Sequence, residues 1–352
     1  MSNSIISGNK ATYQGGGIYD DGGGYLVSSP SSPSTGNITV TNSQINDNST
    51  EAQGYGGGIY NVTDGAYGPD GISATIIVSH STINGNNSYY GGGIYDYGIL
   101  SVSHSTISGN TGIKGGGIYN PGEFMLGYRG PDELHYGTLT VTNSTISHNN
   151  ALDGGGIYNN GIVSVSNSTI SHNYATNNGG GIYNSSSDGN RFTDSKLGII
   201  TVINSNIIYN TAVTAGGGIY NDKDTDFGSS VFNQYGTLAY TLNGLGIMTV
   251  SHNTISGNQA HLGGGIYNDG TLTVGNSIIR HNKAFGIELS SGKFESGKGG
   301  GIYNSDSSYA TATIDYSTIA CNFNTPEEDS NKFIKLDNLV GKFINIGSVV
   351  RV

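Results

Sequence analysis

The stretch GGGIYNNGIVSVSNSTISHNYATNN, residues 154–178, is the unit from which most of this chain is built. It contains three β-rich pieces separated by Asn and Gly, at 156–158, 162–166 and 168–171. Each piece alternates apolar and polar residues, so the two sets are predicted to point in opposite directions. The inward set is Ile157, Val163, Val165 and Ile170, and the outward set is Tyr158, Ser164, Ser166 and Thr169.

The unit recurs along nearly the whole chain. Nine copies of Gly-Gly-Gly-Ile-Tyr begin at Gly15, Gly56, Gly91, Gly115, Gly154, Gly179, Gly216, Gly263 and Gly299. A second, seven-residue motif occurs ten times and ends at Asn9, Asn48, Asn86, Asn110, Asn149, Asn173, Asn210, Asn258, Asn282 and Asn322. The pattern has no helical period, and corresponding strands lie one full repeat apart, which disfavours hairpins.

These repeats predict one all-β domain, a single right-handed parallel β-helix (β-solenoid) of about ten coils with three strands per coil. With strands ~4.8 Å apart, the rod would be about 48 Å long. The triple glycine suits a corner that turns tightly or packs backbone against backbone. The Asn that ends each second motif is expected to adopt left-handed dihedral angles and to bond to its equivalents in the coils above and below.

Most insertions fall at one corner, between the Tyr-Asn step and the strand that follows it. They occupy residues 20–37, 61–74, 121–137, 185–198 and 222–246, and a separate insertion at 283–298 precedes the last glycine block. Because these loops hold most of the charge, specific recognition is expected there.

The composition excludes several classes of protein. A formal net charge of −11 with only 14 Lys and Arg argues against binding to nucleic acid. The single cysteine, Cys321, rules out disulfides within the chain and a cysteine metal site. No apolar run approaches the ~20 residues of a membrane span. No secretion signal is visible at the N-terminus.

Gly-Gly-Gly-Ile-Tyr-Asn combined with Asn-Ser-Thr-Ile-Ser-Gly-Asn resembles the right-handed parallel β-helix repeats of bacterial surface proteins and adhesins. The motifs are similar to the Gly-Gly-Ala-Ile and Phe-x-x-Asn motifs of the chlamydial polymorphic membrane protein family. This resemblance covers residues 3–322 and implies a β-helix at a bacterial surface. The chain departs from the autotransporter pattern because it shows no C-terminal membrane barrel sequence.

The tyrosine of each glycine block is the main candidate for binding. The nine residues are predicted to stack as an exposed aromatic column that binds surface glycans or packs against a neighbouring rod, with a stacking ladder that only stabilises its own sheet as the alternative. They are Tyr19, Tyr60, Tyr95, Tyr119, Tyr158, Tyr183, Tyr220, Tyr267 and Tyr303.

Metal sites are predicted only weakly, and no cofactor is expected. Asp222, Asp224 and Asp226 alternate as in a calcium loop, but the glycine and glutamate positions of an EF-hand do not match, so a fortuitous acidic insertion is favoured. Two histidine columns could form metal ladders, although an exposed polar turn explains them better. Their members are His80, His104 and His252, and His148, His172 and His281.

Two other functions have weaker support in the sequence. Carbohydrate-cleaving β-helices place carboxylates on neighbouring coils, whereas the acids here look scattered: Asp20, Asp21, Asp96, Asp153, Asp269 and Asp315. Outward Thr and Ser pairs such as Thr140 and Thr142 resemble the face of ice-binding β-helices, but Ile77, Ile203, Gly275 and Asp315 interrupt the array and β-propensity alone explains Thr there.

The ends of the chain suggest self-association. The sequence starts inside a strand motif, and residues 323–352 form a tail of different composition with two or three predicted strands. That tail would cap its own last coil or pair with another copy, and the second option gives head-to-tail filaments. The overall prediction is a non-enzymatic, extracellular or cell-surface bacterial rod for structure or adhesion. A carbohydrate-binding or carbohydrate-cleaving β-helix is the alternative, and an ice-binding protein comes after it.

Overall fold

The computed structural model describes residues 1–20, 37–51, 53–62, 75–122, 137–185, 198–223, 229–232, 238–242, 246–308, 310–325, 335–343, 345–346 and 350–351. In this part of the chain the regular structure is all strand, and three long parallel sheets run from coil to coil. The predicted fold class, a parallel β-helix, is therefore confirmed.

The first sheet, here called the Ile-Tyr sheet, has ten strands that follow the triple glycines. Its strands are Ile18–Asp20, Ile59–Val62, Ile94–Tyr97, Ile118–Asn120, Ile157–Asn159, Ile182–Asn184, Ile219–Asn221, Ile266–Asn268, Ile302–Asn304 and Leu339–Val340. Successive strands pair in register, so that isoleucine lies beside isoleucine and tyrosine beside tyrosine.

The second sheet, the long-strand sheet, also has ten strands, nine of them five residues long. They are Asn37–Thr41, Thr75–Ser79, Ile99–Ser103, Thr138–Thr142, Ile162–Ser166, Ile199–Ile203, Ile247–Ser251, Thr271–Gly275, Thr311–Asp315 and Asn345–Ile346. The five corner insertions each lie between an Ile-Tyr strand and the next long strand, as predicted.

The third sheet, the Thr-Ile sheet, has eleven strands. They are Ile5–Ser7, Gln44–Asn46, Thr82–Asn84, Thr106–Ser108, Thr145–Ser147, Thr169–Ser171, Asn206–Ile208, Thr254–Ser256, Ile278–Arg280, Thr318–Ala320 and Val350–Arg351. The first ten come from the ten second motifs, and the eleventh comes from the tail.

Short strands that were not predicted follow the second motif in most coils. A seven-stranded sheet contains six of them, Asn150–Ala151, Tyr174–Ala175, Thr211–Ala212, Gln259–Ala260, Lys283–Ala284 and Phe323–Asn324, and ends with Lys335–Leu336, which comes from a predicted strand of the tail. Lys10–Ala11 pairs with Ser49–Thr50, and two insertions contain hairpins, Ser229–Phe232 with Leu238–Leu242 and Ile287–Glu288 with Phe294–Glu295. Two residues per strand are too few for a recognisable alternation, which is why these were missed.

The core is a continuous stack of aliphatic side chains inside the coil. In the repeat at 154–178, Ile157, Val163, Val165 and Ile170 are all buried in one hydrophobic cluster, as predicted. Fully burying each such side chain contributes about 1.5–3 kcal/mol, which makes this stack the main source of stability.

The triple glycine serves both of the predicted purposes, one at each position. Gly154 has a φ of 66°, which only glycine adopts cheaply. A Cβ on Gly155 would lie 2.5 Å from the carbonyl oxygen of Gly180, and one on Gly156 would lie 2.5 Å from that of Gly181. The first glycine therefore makes the turn, and the other two allow the backbones of adjacent coils to touch.

The predicted asparagine ladder is present along the whole rod. Each Asn side chain donates from Nδ2 to Oδ1 of its equivalent in the next coil, at 3.0 Å for Asn149 to Asn173 and for Asn173 to Asn210. The expected left-handed dihedral angles of these residues were wrong. Positive φ occurs instead at the residue just before each ladder Asn, such as His172, and at the first residue of the motif, such as Asn167.

A second buried ladder, which was not predicted, consists of the residues that follow the tyrosines in the Ile-Tyr sheet. Asn120 donates to Asn159 at 2.9 Å, and Asn159 donates to Asn184 at 2.8 Å. The series continues through Asn221, Asn268 and Asn304. Both ladders give most of these buried amide groups hydrogen-bond partners, as burial requires.

In this structure the tail lies on its own last coil. Leu339–Val340, Asn345–Ile346 and Val350–Arg351 each extend one of the three long sheets in parallel. Asn322 also donates to Asn338 Oδ1 at 3.0 Å, so the first ladder continues into the tail. The division into domains at residue 322 stays a prediction.

Candidate binding surface: the tyrosine column and its flank

The nine tyrosines form a continuous column in the structure. Neighbouring ring centroids lie 4.7 Å apart for Tyr158 and Tyr183 and 5.4 Å apart for Tyr267 and Tyr303. Most neighbouring rings are nearly parallel, with two tilted contacts on either side of Tyr119. Stacking along the column was thus predicted correctly, and it places most ring faces against one another.

The column is not exposed along its length, which corrects the prediction. Tyr19 at one end is 49% exposed, whereas Tyr158 in the middle is only 3% exposed, and Tyr60, Tyr119 and Tyr183 are buried as well. The remaining members, Tyr95, Tyr220, Tyr267 and Tyr303, are half-buried. Alternation along a strand predicts only that a side chain points away from the core, and what covers it there depends on distant residues.

Part of the cover is a row of residues that precede the triple glycines, here called the flanking row. Isolated parallel bridges join Gln14 to Tyr55, Tyr55 to Tyr90, Tyr90 to Lys114 and Lys114 to Asp153, and the row continues from Asn178 to Lys298. Sequence reasoning missed this row because its residue types vary. Its constant position just before each glycine block was the available signal.

The flanking row packs directly on the tyrosines. Tyr55 makes an edge-on contact with Tyr95 at 5.1 Å between centroids, and Tyr90 stacks on Tyr119 at 5.5 Å. One coil further on, the Lys114 ammonium lies 5.0 Å from the centre of the Tyr158 ring, a cation–π contact. Aromatic and cationic contacts therefore seal the middle of the column.

Two of the phenol groups have polar partners shown by short hydrogen bonds. Tyr183 donates to Asp222 Oδ2 at 2.7 Å, and Gln14 donates to the Tyr60 hydroxyl at 3.1 Å. Burial first, and the Asp222 carboxylate second, raise the pKa of Tyr183 and Tyr220 far above the usual range. Since a phenol with a raised pKa does not lose its proton at physiological pH, these tyrosines are unsuited to act as bases.

Lys114 and Asp153 provide partly buried opposite charges beside the column. Burial lowers the pKa of Lys114 and raises the pKa of Asp153. Hydrogen bonds from the Asn178 backbone and the Asn177 side chain, both 3.0 Å long, act against the shift at Asp153. These bonds fix the carboxylate, so it serves as an anchor between coils.

Five tyrosine rings gather at the first three coils and form what we call the aromatic patch: Tyr13, Tyr19 and Tyr89 are exposed, and Tyr55 and Tyr90 are half-buried. Tyr13, at 68%, is the most exposed of them. Three of them are in contact, with Tyr55 stacked on Tyr90 at 5.1 Å between ring centroids and Tyr89 set edge-on against Tyr90 at 4.7 Å. The ion pair between Lys10 and Glu51, 3.3 Å apart, lies on the same coils.

The histidine columns are confirmed only as pairs. His80 stacks on His104 at 4.9 Å, and His148 stacks on His172 at 5.0 Å, with all four rings exposed at left-handed turns. Within the described residues, no group of three or more His, Cys, Asp or Glu side chains is placed to hold a metal ion. Asp224 and Asp226 lie outside those residues, so the calcium loop stays a prediction.

The scattered acids take different places. Asp96 is completely buried in the second ladder, and Asp20 lies in the same ladder two coils earlier. Asp269 follows Asp222 by one coil and accepts a hydrogen bond from Ser305. Asp21 lies outside the described residues. On the long-strand sheet, Thr140 pairs in register with Ser164, and Ile77 interrupts that outward column.

The model of the Chlamydia polymorphic membrane protein repeat matches residues 3–21 and 167–185. Each segment runs from the start of a second motif past a triple glycine to the residues after Ile-Tyr, which is the part that forms the corner and the first ladder. The chain is a parallel β-helix protein, and at these two segments it is similar to this repeat.

This repeat type points to a surface-associated bacterial β-helix protein. Searches of curated proteins and of solved structures found no match to the chain. Among the described residues no helix is both long enough and apolar enough to traverse a bilayer.

Proposed function

We propose that this protein is a non-enzymatic rod at the bacterial cell surface that acts in adhesion, and that the aromatic patch is its contact region for surface glycans. The observation that carries the proposal is the group of tyrosine rings on the first coils, of which Tyr13, Tyr19 and Tyr89 are exposed, in contrast to the covered rings in the middle of the column. Linked, partly exposed aromatic side chains on a soluble surface are typical of binding sites.

The chemistry of the patch suits sugar rings. Tyrosine offers an apolar face for the C–H groups of a pyranose and a hydroxyl for its polar edge. Gln14, Lys10 and Glu51 supply amide and charged groups on the same coils, and polar groups of this kind orient a ligand. The rest of the rod would then serve as a stiff spacer that holds the patch away from the cell.

Adhesion should therefore depend on the patch and not on exposed tyrosines in general. The double variant Tyr13→Ser, Tyr89→Ser should bind immobilised surface polysaccharides at least tenfold more weakly than the parent, because two accessible rings are lost at a cost of about 1.4 kcal/mol or more. Binding of the full-length parent and of the full-length double variant is measured by biolayer interferometry.

The matched control removes two exposed tyrosines far from the patch, Tyr209→Ser and Tyr316→Ser, which are 56% and 67% exposed. Equal loss of binding in both double variants would show that general stickiness causes adhesion. No binding by the parent to any bacterial or host glycan would reject the proposal.

Head-to-tail association is a second part of the proposed function. In the described chain Ile5–Ser7 and Ile18–Asp20 form one edge of their sheets, and Val350–Arg351 and Leu339–Val340 form the opposite edge. All these strands run parallel, so one copy could extend the sheets of the next and produce a filament.

Sedimentation velocity tests this association. The parent is expected to form larger species as its concentration rises, and Ile5→Pro should abolish them because proline removes a backbone donor and distorts the edge. Ser291→Pro, in an exposed turn of an insertion, is the control and should assemble like the parent. A parent that sediments as a monomer at all concentrations would contradict head-to-tail assembly.

A further inference from the structure

The second buried ladder has one link that differs chemically from the others. Its members are asparagines from Asn120 onward, but the coil before Asn120 supplies Asp96. Because Ile94 pairs with Ile118 and Tyr95 with Tyr119, the next residues, Asp96 and Asn120, lie opposite each other in adjacent coils. Both side chains are completely buried.

The normal links all run in one direction. The Nδ2 group of one coil donates to Oδ1 of the next, as in Asn184 to Asn221 at 2.8 Å and Asn221 to Asn268 at 2.7 Å. Some of these nitrogens also donate to a carbonyl two residues further on, as Asn159 does to Gly161 at 2.9 Å. Each position therefore needs one side-chain atom that donates and one that accepts.

At Asp96 the accepting half is intact. Asn61 Nδ2 donates to Asp96 Oδ1 at 2.6 Å, and the Gly98 amide donates to the same oxygen at 3.3 Å. The donating half is where the link changes. Because Asp96 Oδ1 is the accepting atom, Oδ2 is left for the place of the usual nitrogen, and neither Oδ2 nor Asn120 Oδ1 has a hydrogen-bond partner.

If neither oxygen carried a hydrogen, two buried oxygens at the same link of the ladder would repel each other and forfeit the solvation of both. We propose that Asp96 is held as the neutral carboxylic acid and that its Oδ2–H donates to Asn120 Oδ1, which completes the ladder. A protonated carboxyl has nearly the shape of a carboxamide and one O–H donor in place of the amide N–H.

The surroundings of Asp96 support the neutral form. The described polar groups that face it are the Asn61 amide from the preceding coil, the Gly98 amide of its own turn and the Asn120 amide from the following coil, and none of these three ionises. Asp20, the other carboxyl of this ladder, is two coils away. Burial raises the pKa of Asp96 from 3.8 to about 7, against the opposing effect of the bonds from Asn61 and Gly98.

The consequence is a rod whose coil-to-coil contact responds to pH. Between the unfolded pKa near 3.8 and the folded value near 7, the folded chain holds a proton that the unfolded chain has released. Stability from this group is therefore complete below that window, falls as pH rises through it and is constant above it. Within the window the folding equilibrium constant should drop about tenfold per pH unit through Asp96 alone.

Asp96→Asn tests the proposal, because asparagine provides the donor at every pH. Urea unfolding of the full chain is followed by circular dichroism from pH 5 to pH 8.5. The variant should unfold at a higher urea concentration than the parent at pH 8.5, and the difference should shrink towards pH 5. Asp47→Asn, the same change at an exposed turn residue, should follow the parent at every pH.

Carbon-13 NMR of the Asp96 carboxyl in the unmodified chain gives an independent answer that needs no variant. The proposal expects the chemical shift of a neutral acid at pH 5.5 and a titration midpoint well above 5. A carboxylate already ionised at pH 5.5 would overturn it. So would parallel stability curves for the parent and Asp96→Asn, or a parent stability that depends on which salt cation is present, since a cation would then fill the gap.

Discussion

Gly156→Ala should prevent stable folding of the central coils, with a loss of about 3 kcal/mol or more in the free energy of unfolding. The new Cβ would lie 2.5 Å from the Gly181 carbonyl oxygen and 3.1 Å from the Asn173 amide nitrogen. Neither atom can move easily. The first belongs to the backbone of the next coil, and the second belongs to the first asparagine ladder.

The matched control is Gly275→Ala, at the end of the long strand Thr271–Gly275. A Cβ there meets nothing within 4 Å. Alanine at such a site reduces the entropy of the unfolded chain, so stability should stay the same or rise by up to about 1 kcal/mol. Urea unfolding followed by circular dichroism measures both variants. Similar midpoints for the two would contradict the assignment of Gly156 to a backbone contact between coils.

Asn173→Ala is expected to be about as damaging, with a loss of about 3–4 kcal/mol. Asn173 Oδ1 accepts hydrogen bonds from the backbone and the side chain of Asn149, and its Nδ2 donates to Ile146 O and Asn210 Oδ1. Removing the amide leaves buried donors of Asn149 without partners, at about 1–3 kcal/mol each.

The effect should also spread along the rod. Each coil contacts only its neighbours, so a broken ladder weakens two interfaces and can separate the unfolding of the two halves. Hydrogen exchange should then show faster exchange in coils next to residue 173 than at either end. Asn150→Ala, at an exposed residue in the adjacent short strand, is the control and should change stability by less than about 0.5 kcal/mol. Equal stability of Asn173→Ala and Asn150→Ala would contradict a contribution of the ladder to the stability of the coils.

Much of this fold could be predicted from the local sequence pattern. The alternation around Val163 and Val165 depends on strand geometry alone, and the constant phase of Gly156 and Asn173 requires equivalent residues to meet in neighbouring coils. For the same reason the first ladder could be predicted. Its dihedral angles could not, because the choice between Asn173 and His172 for the left-handed position depends on how the turn closes.

Less of the candidate site could be predicted from the sequence. Tyr158 was expected at the surface, and Lys114 and the coils on either side cover it. Tyr55 and Tyr90 contact tyrosines that belong to other coils. The residue type at their position in the repeat also differs from coil to coil. Sequence pattern identifies the side of the strand, whereas burial depends on all neighbours together.

The sequence by itself determined the coil: a repeat of fixed phase places glycine against glycine, isoleucine against isoleucine and asparagine against asparagine, because identical units stack in register. Only the tertiary structure decided which outward residues meet solvent and what Asp96 faces. Those outcomes depend on contacts between non-equivalent residues in adjacent coils, and a repeat pattern carries no information about such contacts. The tyrosines therefore stack as predicted, yet Tyr19 is the only one of the nine that is exposed.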